Sequence, residues 1–194
     1  MATKINDAQL TQLVEAAIFS ADKPLSAAQL QATVLEGLAV SKKRLNAVLE
    51  QLIADYAGRG VSLHLTASGY RFQTKPELSD YLARLWPERS PRYSRAVLET
   101  LALIAYRQPI TRGEIEDIRG VSVSSQIMRT LVDREWVKLV GHKEVPGRPG
   151  LYATTDIFLD YFGLQNLSQL PALPEFQAMS IDLADTVGMT GEKH

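Results

Sequence analysis

Apolar residues along this chain recur first at helical and then at strand spacing, and the whole order of elements is predicted to occur twice. In the first half, five apolar residues share one face of a predicted helix: Leu10, Leu13, Val14, Ala17 and Ile18. A second helix is expected over residues 26–35, and a third begins after its cap at Ser41. Apolar and polar residues then alternate over 61–66 and 70–73, which predicts a hairpin with one buried face.

The second half repeats this order. Val97 is aligned with Leu13, about 84 positions earlier, on the first helix of the repeat. Ser122 is expected to cap the third helix, and the hairpin turns within residues 146–150. Three helices followed by a two-stranded wing form a winged-helix unit, so the pattern predicts two of them in tandem.

The clearest correspondence is a turn that enters the second helix of each unit. Ser26 with Gln29, and Thr111 with Glu114, have the spacing of a capping box, in which each side chain bonds the other residue's backbone amide. Apolar residues flank both boxes as a hydrophobic staple. The same local signal therefore predicts the start of the second helix in both units.

These patterns define the predicted architecture, which is mainly α with small β-hairpins (α+β). An N-terminal winged-helix domain covers 1–86, a short proline-bounded linker covers 87–91, and a C-terminal winged-helix domain covers 92–164. Residues 165–194 contain prolines and an excess of acidic residues, which predicts a flexible, disordered tail.

Composition narrows the possible chemistry. The 194 residues contain no cysteine, and the three histidines are far apart in the sequence, so we expect no metal or cofactor. No apolar run approaches the roughly 20 residues that a membrane-spanning helix needs. We therefore expect a cytoplasmic protein without a membrane partner.

Catalytic motifs are not recognisable in the sequence. It has no glycine-rich phosphate loop and no nucleophile elbow, so we expect no enzyme and no catalytic residue. The net charge is −1, and acidic and basic residues are mixed in both units, whereas DNA-binding modules usually carry a basic surface. A winged-helix transcriptional regulator remains the alternative, because residues 42–44 place three cations at the start of the third helix.

Two stretches of the second unit resemble the family of segregation and condensation protein B, the kite-type subunit of the bacterial SMC-kleisin complex. They are RYSRAVLETLALIAYRQPITRGEIEDIRGV at 92–121 and GRPGLYATT at 147–155. The resemblance implies an architectural subunit that forms a homodimer and supports chromosome condensation and segregation. It further implies that the partner is the kleisin, segregation and condensation protein A, which links the subunit to the SMC ATPase at the nucleoid. DNA contact would then be indirect or weak.

The resemblance assigns kleisin binding chiefly to the second unit. A winged helix offers grooves for a partly extended, apolar segment, and aromatic and arginine side chains often carry interface energy. Seven candidates surround the second capping turn and the wing: Tyr106, Arg107, Gln108, Ile110, Arg112, Arg148 and Tyr152. Ile110 also belongs to the staple, and Tyr152 is equally placed to close the core.

Dimerisation is assigned to the first unit by the same resemblance. The candidates are Leu10, Val14, Phe19 and Leu38. Phe19 lies off the apolar stripe of the first helix, so it either caps the far edge of the core or faces a partner.

Overall fold

The computed structural model describes residues 4–85 and 93–172. The first unit is built from three helices and two strands: α1 (Asp7–Ser20), α2 (Ala27–Ala32), α3 (Lys42–Tyr56), β1 (Val61–Leu65) and β2 (Tyr70–Thr74). A 3₁₀ turn (Pro76–Leu78), the short helix α4 (Ser79–Leu82) and a further 3₁₀ turn (Ala83–Leu85) follow the wing. The predicted linker at 87–91 lies outside the described residues.

The second unit has the same order with one added strand. Its elements are α5 (Arg95–Arg107), β3 (Ile110–Thr111), α6 (Arg112–Arg119), α7 (Ser125–Asp133), β4 (Val137–His142), β5 (Gly150–Thr154) and α8 (Asp156–Tyr161). The chain thus contains two winged-helix units, which confirms the predicted fold class. Each unit encloses its own apolar core, one centred on Leu49 and the other on Ile104.

In both units the residue before the capping box pairs with the returning strand of the wing. Leu25 and Tyr70 exchange two backbone hydrogen bonds of 2.9 and 2.8 Å. In the second unit Ile110 pairs with Tyr152, which makes a three-stranded sheet of order β3-β5-β4. Both capping boxes form as predicted, so each second helix starts from a turn that is fixed to the wing.

The two units touch where the wing turn of the first meets the end of α8. The Ser68 amide donates to the Asp160 carboxylate at 3.0 Å, and the Ala67 amide donates to the Leu164 carbonyl at 3.0 Å. Ala67 also packs against the second core. Hydrogen bonds to a charged acceptor are among the stronger ones in proteins, so Asp160 helps to fix the orientation of the units.

Three expectations need correction. The loop between the first and second helices is shorter in the second unit, so the buried residues of α1 and α5 correspond at an offset of 87 rather than 84: Leu10 with Val97, Val14 with Leu101, and Ile18 with Ala105. Ser124, and not Ser122, caps α7, because its hydroxyl accepts from the Ile127 amide. Residues 165–172 of the expected flexible tail contain a 3₁₀ turn and pack on the second unit, and the rest of that expected tail lies outside the described residues.

The close approach of wing and capping turn leaves no room for a side chain at Gly69. A Cβ there would lie 2.3 Å from the Leu25 carbonyl carbon, at a backbone φ of +149°. We predict that Gly69→Ala lowers the free energy of unfolding by more than about 2 kcal/mol, measured by urea denaturation. Gly113→Ala is the control, because nothing lies within 4 Å of the Cβ it would add. Equal stability of the two variants would contradict this prediction.

Candidate partner-binding surfaces

The end of α5 is tied to the wing through Gln108. Its side-chain carbonyl accepts from the Thr154 amide at 2.6 Å and lies 3.0 Å from the Thr154 hydroxyl, and its side-chain amide donates to the Ala105 carbonyl at 3.2 Å. The peptide bond between Gln108 and Pro109 is cis. Through these side-chain hydrogen bonds Gln108, predicted to contact the kleisin, joins the end of α5 to β5.

Ile110 and Tyr152 lie next to each other, as partners in the sheet. Ile110 is only 4% exposed and belongs to the core, so its side chain offers no surface to a partner. Ile110 and Ile115, the predicted staple residues of this capping box, are both buried in the second core, which accounts for this burial. Tyr152 packs against the same core but remains partly accessible.

Three of the candidates, Tyr106, Arg107 and Arg112, lie near the second capping turn. The Tyr106 hydroxyl donates to the carbonyl of Pro171 at 2.6 Å. Arg112 pairs with Glu116 at 3.0 Å on the same helix and reaches Ser125 on α7 at 3.3 Å. Arg107 is exposed, and within residues 4–85 and 93–172 its side chain forms no hydrogen bond or ion pair. Arg107 is therefore the candidate whose charge is most available.

The wing loop is attached to the start of α6 by an ion pair. The Lys143 ammonium lies 2.5 Å from the Glu114 carboxylate, which also accepts from the Thr111 amide and hydroxyl at 2.8 Å each. The Lys143 hydrogen bond and then the Thr111 amide bond lower the pKa of Glu114 from 4.5 to about 2. Arg148 is farther along this loop and pairs with Glu144 at 3.0 Å in an exposed position. The wing tip is thus held against the capping turn.

The dimerisation candidates separate into core and surface. Leu10 and Val14 are fully buried in the first core, so the expectation that they face a partner is corrected: their stripe is the inner face of α1. Leu38 packs against the same core and is partly exposed. Phe19 is 78% exposed, and its ring meets Phe72 edge-on at 6.3 Å between centroids. Phe19 is therefore not buried in the core, and its contact with a partner stays a prediction.

The three cations at the start of α3 differ in how far their charges are exposed to solvent. Arg44 is turned back to the N-terminal segment, where it donates to the Asp7 carboxylate at 2.7 Å and to the Ile5 carbonyl at 2.6 Å. Lys42 and Lys43 are exposed and line an open groove with Glu50. Two lysines beside an acid make a weak phosphate-binding surface, so this helix gives the DNA-regulator alternative little support.

An aromatic cluster near the start of α5 and along α8 was not predicted. The buried Trp136 ring lies 4.6 Å from Tyr161 and 5.1 Å from Tyr93, between centroids. Tyr161 and Phe162 are about half exposed. The repeated Asp-Tyr pair at 80–81 and 160–161 marks this place in the sequence, but only the fold brings Trp136 to it.

Among residues 4–85 and 93–172, no group of three or more histidine, cysteine or acidic side chains could hold a metal ion. Within the same residues, none of the helices has the length and apolar character for crossing a bilayer.

Comparison with known proteins decides the family. The family model of the segregation and condensation complex subunit ScpB matches residues 12–173, which include the second winged-helix unit and the first from the middle of α1 onwards. The chain belongs to the ScpB family. A segregation and condensation protein B homolog from Coxiella burnetii is 49% identical over 181 residues, which are 93% of this chain and 85% of that protein.

Two solved ScpB structures are also similar. ScpB from Mycobacterium tuberculosis is 32% identical, covers 84% of this chain and 99% of its own, and superposes with a TM-score of 0.40. A dimer of an ScpB N-terminal domain complexed with an ScpA peptide is 29% identical, covers 44% of this chain and 99% of its own, with a TM-score of 0.36. These TM-scores are low, so ScpB family membership rests on the sequence matches.

The Glu114–Lys143 ion pair should make stability depend on pH. Because the folded state lowers the pKa of Glu114, its contribution is complete above pH 4.5 and is lost as the pH falls towards about 2. We predict that Glu114→Gln, which keeps the cap as Gln29 does, destabilises the protein at pH 7 by less than about 1 kcal/mol, since the pair is partly exposed.

Urea denaturation of both proteins between pH 2 and pH 7 measures this difference. The two unfolding free energies should converge as the pH approaches 2. Lys143→Gln is the matched variant, because it removes the same pair from the other side and should show a similar loss at pH 7. A loss for Glu114→Gln that is the same at both ends of the pH range would contradict the assignment.

Proposed function

We propose that this chain is a non-enzymatic architectural subunit of an SMC-kleisin complex. It forms a homodimer through its first winged-helix unit and binds the central segment of the kleisin, segregation and condensation protein A, with its second. Membership of the ScpB family across both units is the observation that carries the proposal. The kleisin then links the subunit to the SMC ATPase and, indirectly, to DNA in the cytoplasmic nucleoid.

The surface of the second unit suits this role. The wing, β3 and the end of α5 are fixed together by Gln108 and by the Glu114–Lys143 pair, so a partner would meet a preformed surface. Arg107 and the partly exposed Tyr152 lie at this junction, and both are residue types that often dominate interfaces. The proposal includes the domain boundaries: a first unit that ends at residue 86 and forms the dimer, and a second unit that begins at residue 92 and binds the kleisin.

Light scattering of the full chain, alone and with a kleisin central fragment, tests both contacts. We expect the mass of a dimer, and a larger mass when the fragment is added.

We further predict that Arg107→Ala weakens fragment binding about tenfold, measured by isothermal titration calorimetry.

Arg95→Ala is the control for this variant, because Arg95 is an exposed arginine at the other end of the same helix and pairs with Glu99. It should leave the affinity unchanged. Failure of the unaltered chain to bind the fragment would exclude kleisin binding, whereas equal binding by both variants would only remove Arg107 from the interface.

Phe19 is the proposed centre of the dimer contact. A phenylalanine that is 78% exposed contributes little to its own core, so Phe19→Ala should leave the thermal stability of a monomer nearly unchanged. We predict that it raises the dimer dissociation constant at least about tenfold, measured by analytical ultracentrifugation. Tyr81→Ala, which removes another exposed aromatic ring of the first unit, is the control. Unchanged dimerisation of Phe19→Ala would place the dimer contact elsewhere.

A further inference from the structure

The segment that comes after α8 returns across the second unit. Gly163 ends the helix at a φ of +70°, and the Leu164 amide donates to the Leu159 carbonyl at 2.8 Å. Residues 167–169 then form a 3₁₀ turn capped by Asn166, and the Gln165 amide donates to the Gln169 side chain at 2.7 Å. These local bonds give residues 164–171 a defined shape.

This segment is held on the body of the second unit at two kinds of contact. Leu164 and Leu170 pack against the second core, whose members include Leu101 and Ile104 of α5. The Tyr106 hydroxyl donates to the Pro171 carbonyl. Residues 164–171 therefore contact α5 through Tyr106, which precedes Arg107 and is one of the residues proposed to bind the kleisin.

The chemistry of these contacts is not specific to this segment. The apolar contacts are made by two leucines of a short segment, and a tyrosine hydroxyl can donate to any backbone carbonyl. A kleisin central segment, apolar and partly extended, would present the same groups. One surface can thus bind either the chain's own segment or a segment of the partner.

We propose that residues 164–171 are an intramolecular occupant of the kleisin-binding surface and that the kleisin segment displaces them. This inference rests on the proposed function. An occupant in the same chain reduces the fraction of molecules that are ready to bind and raises the apparent dissociation constant by that factor. The segment thereby sets a threshold for partner capture and shields apolar surface while the subunit is alone.

Two leucines of the segment provide a matched pair of variants. Leu170 packs against the second core, whereas Leu167 is more exposed and is not among the residues packed there. Leu170→Ser should release the segment without altering α5 or the wing. Leu167→Ser makes the same chemical change three residues earlier, at the start of the 3₁₀ turn, and should not release the segment.

The test is titration of each full-length variant with the kleisin central fragment, together with hydrogen exchange of residues 164–171. We expect Leu170→Ser to bind about fivefold more tightly than the unaltered chain and Leu167→Ser to bind equally. The amide of residue 170 donates to the Leu167 carbonyl. We expect this amide to lose its protection from hydrogen exchange in free Leu170→Ser. In the unaltered chain it should lose that protection only when the fragment is bound.

The possible results separate the two proposals. Equal affinity for all three proteins, with residues 164–171 still protected in the complex, would overturn displacement and leave kleisin binding intact. Weaker binding by Leu170→Ser would also overturn it, because the segment would then help the partner to bind. Binding by none of the three proteins would remove the proposed function itself and displacement with it.

Discussion

The pairing of the capping turn with the returning strand of the wing is the constraint on which both units depend. In the first unit it consists of two backbone hydrogen bonds between Leu25 and Tyr70, and in the second of the β3-β5 ladder. Since the residue after the paired one caps the second helix, one contact fixes the wing and that helix together. In the first unit the third helix packs against both the second helix and the wing, so its position is constrained by this contact as well.

This constraint also determines which side chains remain available. Near the second capping turn, Gln108 bonds the wing and Ile110 fills the core. Glu114 forms an ion pair with Lys143. These three side chains therefore stabilise the fold and are not available to a partner. The Arg107 side chain forms no such contact within residues 4–85 and 93–172. A polar side chain that does not stabilise the fold is the most informative candidate for a partner contact.

The sequence predicted the fold well because its signals are local. Capping boxes, glycine turns and alternation along the wings each depend on a few neighbouring residues, and Ser26, Thr111 and both hairpins lie where they were expected. The surfaces were predicted less well. Leu10 and Val14 lie in the core, and the contact of Tyr106 with Pro171 joins residues far apart in the chain. Helical periodicity identifies an apolar face but cannot say whether a core or a partner covers it.

The two units differ most in the stretch of chain after the wing. In the second, α8 buries Phe158 and Leu159 and leads into a segment that packs on its own unit. In the first, none of the corresponding residues 76–85 is buried, and Tyr81 is 67% exposed. In the same helix α8, the Asp160 carboxylate accepts a hydrogen bond from the Ser68 amide in the wing turn of the first unit. The closing helix of the second unit therefore links the orientation of the units to the position of residues 164–171, because both contacts start from the same short stretch of chain.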